Sequence, residues 1–175
     1  MKRMQCAAMN RVMVAGVGNI FLADDGFGVE VARRLSTDVF PAGVEVEDYG
    51  IRGMHLAFQL LEGYDTLILI DAVQRGDQPG TIFVIEPDLD NEPINPATDA
   101  HSMNPEAVLA TLAALGGRVG RVLVVGCEPA ELVERIGLSE VVNRAVDEAV
   151  SVVRKLIDEV TVNRIETRKG VRADV

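Results

Sequence analysis

Cysteine is almost missing from this chain: Cys6 and Cys127 are far apart and form no Cys-x-x-Cys pair. That usage argues against a disulfide framework and a thiolate zinc site, and it fits a reducing compartment. Positive charge is scarce as well. The 17 Lys and Arg face 27 Asp and Glu, which leaves a formal charge of −10 and no dense basic run. A phosphate backbone would be repelled, so nucleic acid is not an expected partner. Long hydrophobic runs are lacking too. Behind the basic start, the apolar stretch covers only Val12 to Val17, too short for a signal core or a membrane span. A cytoplasmic protein without a membrane partner is expected. Two protease signatures are also missing: there is no Gly-x-Ser-x-Gly elbow and no His-Glu-x-x-His, and Cys127 has no histidine near it in sequence.

What is present is 175 residues, 48% of them hydrophobic, enough for one domain with its own core. The periodicities predict a single α/β domain over residues 11–160, with 1–10 and 161–175 as flexible termini. Short apolar, β-branched runs at Val12 to Val17, Thr66 to Asp71 and Arg121 to Gly126 read as buried strands, and Val44 to Asp48 alternates like a strand nearer an edge. Helical spacing follows the first two of these segments in chain order, which argues for right-handed parallel crossovers with helices on both faces of the sheet. The next strand, Thr81 to Glu86, is reached through a connection too short for a parallel crossover and should run antiparallel. A proline-dotted loop over 88–103 would then carry the chain back across the sheet. Asn104-Pro105 opens a helix that Gly116-Gly117 closes, and a last helix starts near Ser139 and ends its apolar stripe at Val160.

Three places could carry chemistry. Gly16-Val17-Gly18-Asn19 after the first strand invites a dinucleotide reading, but Phe21 stands where the third glycine belongs, so no nucleotide or flavin is expected. Asp71 closes the central strand, the edge where open α/β sheets bind ligands, although an Asp there also caps turns. Asp24 and Asp25 lie above the same edge. One of them can serve as a helix N-cap while the other faces the crevice, with Asp24 as the cap and Asp25 as the free group. His101 lies in the long loop, and the other histidine, His55, reads as a partly exposed helix residue. Each of these alone has an ordinary structural explanation. Together, Asp25, Asp71 and His101 form an open O,O,N set suited to zinc or nickel, and two carboxylates balance a divalent charge.

The ordered blocks Gly16-Val17-Gly18-Asn19, Asp24-Asp25-Gly26-Phe27-Gly28, Ile70-Asp71-Ala72, Pro79-Gly80-Thr81, His101-Ser102-Met103 and Ile136-Gly137-Leu138-Ser139 resemble the hydrogenase maturation endopeptidases. The resemblance runs from about residue 11 to 158 and implies a three-layer α/β/α sandwich of phosphorylase/hydrolase-like type. Its mixed five-stranded sheet would have the order 2-1-3-5-4 with strand 4 antiparallel. It also implies removal of a C-terminal extension from a nickel-iron hydrogenase large-subunit precursor after nickel insertion. By position the family's metal-contacting residues fall on Asp25, Asp71 and His101, and its acidic residue after the second strand falls on Asp48. The metal is implied to be nickel carried by the substrate. Two positions depart from the family: many members have Glu where Asp25 stands, and Asp48-Tyr49-Gly50-Ile51-Arg52-Gly53 replaces Asp-Gly-Gly-Thr-x-Gly.

The resulting expectation is an endopeptidase, working as a monomer, whose Asp25, Asp71 and His101 grip substrate-bound nickel. Asp48 would orient water or the substrate tail, and Arg52 would either meet a precursor carboxylate or lie solvated. The rival from another class is a nickel-sensing chaperone that docks on the same precursor without cutting it.

Overall fold

The computed structural model describes residues 10–88 and 105–169. Its elements in chain order are β1 (Val12–Val17), a 3-10 turn (Ala23–Gly26), α1 (Phe27–Leu35), β2 (Val44–Gly50), α2 (Gly53–Leu60), β3 (Thr66–Ala72), β4 (Ile82–Ile85), α3 (Pro105–Ala114), β5 (Arg121–Cys127) and α4 (Glu140–Lys169). One five-stranded sheet has the order β2-β1-β3-β5-β4. The pairs β1–β2, β1–β3 and β3–β5 are parallel, and β4 runs antiparallel to β5. The mixed α/β fold and its strand order are therefore those expected from the sequence. β4 is antiparallel because residues 73–81 cannot carry the chain over a full crossover.

Side chains alternate across each strand, so every central strand feeds two cores. Val12, Val14, Ile68, Ile70, Leu123 and Val125 pack with Phe27, Val31 and Leu35 of α1 and with the apolar stripe of α4. Met13, Ala15, Leu67, Leu69, Val122 and Val124 face the other way, onto Leu56, Ala57 and Leu60 of α2 and Val108 and Leu112 of α3. The result is three layers, with β3 in the middle and Asp71 near its carboxyl end.

α1 lies unusually close to the sheet. A Cβ on Gly28 would stand 2.1 Å from the carbonyl oxygen of Ile70 and 2.3 Å from that of Val17, and one on Gly16 would meet Gly28's carbonyl at 2.2 Å. These glycines thus bring helix and strand together.

The structure departs from the sequence expectation in two particulars. α4 continues to Lys169, beyond Val160 where the apolar stripe in the sequence ends, because no Gly or Pro interrupts the chain before Gly170. Leu56, Phe58, Leu60 and Leu61 read in the sequence as the apolar positions of a helix closed by Gly63, but Phe58 is exposed in α2, and Leu61, just beyond its end, is exposed as well. Only Leu56, Ala57 and Leu60 reach the core. The long loop over 88–103 and the cap Asn104 lie outside the described residues except for Asp88.

Candidate active site

The site is built from strand ends and the loop that follows β1. Beyond Gly18 the chain turns back on itself: Leu22 N–H donates to Asn19 O at 3.0 Å, Asp25 N–H donates to Leu22 O at 3.1 Å, and Ala23 takes a positive φ of 47°. This tight turn separates two adjacent aspartates into opposite environments.

Asp24 is fully buried and caps neither the 3-10 turn nor α1. The expectation that it serves as a helix cap there is therefore corrected. Its carboxylate accepts from Ala130 N–H at 2.8 Å, Glu131 N–H at 3.1 Å, Ser139 N–H at 2.6 Å and Ser139 Oγ at 2.9 Å. Four donors on one carboxylate compensate its burial. Ser139 in turn accepts from Val142 N–H at 3.4 Å at the start of α4. Asp24 thereby fastens the loop between β5 and α4 to the turn that carries Asp25. Ile136-Gly137-Leu138-Ser139 finds its structural purpose in this clamp.

Asp25 stays partly exposed, and its Oδ2 accepts from Asn19 N–H at 2.6 Å. Its turn packs against β3, where Asp71 is almost buried at 8% exposure. Burial first and the Asp25 carboxylate second push the Asp71 carboxyl well above the ordinary carboxylate range, while the Ala72 N–H pulls it back. The fold therefore brings Asp25 and Asp71 together as two like charges that a cation would relieve. His101 lies outside the described residues. Among the described residues no third His, Cys, Asp or Glu completes a metal-binding group with the pair.

Asp48 is exposed near the end of β2, opposite Gly16 in register and next to a bulge. It is not gathered into the Asp25–Asp71 pair; it borders a groove beside it. Arg52 folds back on its own turn, with Nε donating to Tyr49 O at 3.1 Å and Nη2 to Asp48 O at 2.5 Å. His55 is exposed on α2, as its sequence context predicts. A larger cavity of about 670 Å³, lined by Glu86, Leu109, Leu112 and Arg121 among others, lies at the opposite end of β5 from this edge. Its place away from both aspartates, at the amino end of the strand, separates it from the chemistry.

The carboxylates at this edge occur on a fold shared with proteins of known kind. The family model described as hydrogenase maturation protease matches residues 29–156. The chain belongs to the hydrogenase maturation protease family. The hydrogenase expression/formation protein HupD of Rhodobacter capsulatus is 35% identical over 159 residues, covering 86% of this chain and 75% of that protein. The hydrogenase 2 maturation protease of Escherichia coli is 32% identical over 161 residues, covering 89% of this chain and 95% of that protein. The solved hydrogenase maturating endopeptidase HybD from E. coli superposes with a TM-score of 0.70 at 29% identity, covering 85% of this chain and 93% of that one. As a hydrogenase maturation protease the chain is an endopeptidase, and the non-cleaving chaperone reading is not favoured.

Within this family member Cys127 is no nucleophile. It is buried at the end of β5, and burial, with Asp24 and Glu128 nearby, pushes its thiol up to about 12. Sequence reasoning missed Glu128, a buried carboxylate that accepts from Arg75 N–H at 2.7 Å and Gly76 N–H at 3.3 Å and so fixes the β3–β4 connection. Nothing local in the sequence signals it, since its partners lie more than 50 residues upstream.

Proposed function

We propose that this protease removes a C-terminal extension from the large-subunit precursor of a nickel-iron hydrogenase after nickel insertion, acting in the cytoplasm as a monomer. The observation that carries this reading is the Asp25–Asp71 pair: a nearly buried carboxyl, raised by burial and by a second carboxylate, at the carboxyl edge of the central strand. Two oxygen donors and the imidazole of His101, which enters through the family resemblance, suit a divalent ion of nickel or zinc type. Nickel arrives as part of the substrate. Gripping it fixes the adjoining peptide in the cleft and places a Lewis acid beside the scissile carbonyl or an attacking water. Asp48, on the neighbouring rim, orients the water or the tail.

The test is mass spectrometry of a hydrogenase large-subunit precursor, nickel-loaded or nickel-free, incubated with the parent protein or with Asp71→Ala. Loss of a C-terminal peptide with the parent and loaded precursor alone is expected. Equal cleavage of the nickel-free precursor, or by the variant, would overturn the nickel-gated role.

A further inference from the structure

A shallow groove of about 260 Å³ runs between the loop after β1 and the turn that joins β2 to α2. Its walls carry Ile20, Phe21 and Ile51, which are 46%, 60% and 66% exposed and belong to neither core. Large apolar side chains left in water at one concave place, with no core reason to be there, mark a binding surface. The floor is backbone. Gly18 N–H donates to Gly50 O at 3.1 Å, tying the two walls together, and both glycines have positive φ, 128° and 52°. Neither position offers room for a side chain without backbone strain, and a Cβ on Gly18 would also strike the carbonyl oxygen of Asp25 at 1.8 Å.

The groove is continuous with the active site. Asn19, one of its lining residues, donates its N–H to Asp25 at 2.6 Å, and Gly18 packs against Asp25's backbone. A side chain lying here therefore belongs to a polypeptide whose main chain passes Asp25. Charge narrows the occupant. Arg52 is turned onto the carbonyls of Tyr49 and Asp48, while the exposed Asp48 carboxylate stands on the rim and disfavours an acidic residue.

We propose that this groove is a specificity subsite that takes an uncharged apolar side chain of the substrate segment flanking the scissile bond. It rests on the reading that a polypeptide is cut at the Asp25–Asp71 edge, and it adds which residue type that polypeptide presents. Ile51, exposed on the wall, and not Tyr49, whose side chain is buried in the second core, is the residue of this turn that meets the occupant.

The experiment has two arms. In the first, processing of nickel-loaded precursor is followed for the parent, Phe21→Ser, Ile51→Ser and Val39→Ser, the last at a fully exposed position elsewhere. Each groove variant should raise KM about tenfold, more than it lowers kcat, and Val39→Ser should leave both constants alone. Precursors with Asp placed at either residue flanking the cut should be poor substrates for the parent, and those with Leu good ones. In the second arm, short blocked peptides with a single central Leu or Asp are titrated into the isotope-labelled full chain. The Leu peptide should shift the amide resonances of Gly18, Gly50 and Ile51, and the Asp peptide should not. Unchanged KM in both serine variants, or equal shifts with both peptides, overturns the subsite. Selective Leu-peptide shifts in a protein that cleaves no precursor would uphold the groove and defeat the underlying reading instead.

Discussion

One tight turn gives two neighbouring aspartates opposite tasks, and substitutions at Asp24 and at Asp71, the partner of Asp25, should behave oppositely. Asp71, the partner of the second, carries a folded-state pKa above its unfolded value. Below the unfolded pKa, about 3.9, both states hold the proton and no penalty arises. As pH rises the unfolded chain releases its proton first, so stability falls until the folded carboxyl has ionised too. Asp71→Asn removes that penalty. It should melt higher than the parent at pH 7, by about 2–4 °C for each kcal/mol recovered in a chain of this size, with the difference closing toward pH 4. The same variant should process no precursor. Thermal unfolding at both pH values, beside a cleavage assay, decides this, and a variant that melts lower at pH 7 would refute the electrostatic account. Asp24→Ala should do the reverse. It leaves the N–H groups of Ala130, Glu131 and Ser139 without their acceptor; these residues are partly open to water, so the loss should be about 1–3 kcal/mol. Urea unfolding measures that loss. Cys127 offers a third contrast: with its thiol pushed up to about 12, Cys127→Ala should retain processing, and the native thiol should resist alkylation at pH 7 until the protein unfolds.

Among the elements, the contact of α1 with the sheet should be the least tolerant of added volume. Gly28→Ala places a methyl within 2.3 Å of two carbonyl oxygens, those of Ile70 and Val17. Strand and helix must separate, at a cost of about 1–3 kcal/mol or more. Gly63→Ala is the matched control, because its φ of +87° strains a side chain but nothing stands within 4 Å. The expected cost there is about 1–2 kcal/mol, and chemical denaturation of both variants should place Gly28→Ala below Gly63→Ala. The elements themselves were largely legible. β3 announced itself as a short apolar, β-branched run, and the short link to β4 revealed the direction of β4, because crossover length is a local constraint. Asp71 was readable for the same reason, being the polar end of an apolar run. Asp24 was not: its hydrogen-bond donors lie 106 to 115 residues away in sequence, and adjacent aspartates look alike until the turn separates them. The groove was hidden too, since hydrophobicity predicts burial and Phe21 and Ile51 remain in water. α4 outran its apolar stripe because helix propensity continues until a Gly or Pro interrupts it.

For the whole molecule the question is whether a metal resides in the enzyme or travels with the substrate. Among the described residues the edge of the sheet supplies two carboxylates and no third side-chain ligand, and one of them, Asp71, holds its proton more tightly than an ordinary carboxyl. A free divalent ion must displace that proton and fill most of its coordination from water, so its binding should be weak even with an imidazole added. An ion already held by another polypeptide brings its remaining ligands along, and its capture adds to the contacts of the substrate chain itself. The consequence can be measured without knowing the cut bond. Nickel added to the enzyme alone at a concentration far below a weak site's dissociation constant should leave the melting temperature essentially unchanged, because stabilisation grows only as RT ln(1 + L/Kd), with L the free nickel, whereas a tight resident site would be saturated and raise it. Enzyme stripped with a chelator and then desalted should process nickel-loaded precursor at the parental rate. If stripping abolished processing and free nickel or zinc restored it, the metal would belong to the enzyme, and the Asp25–Asp71 pair would be its permanent seat instead of a reader of the substrate's cargo.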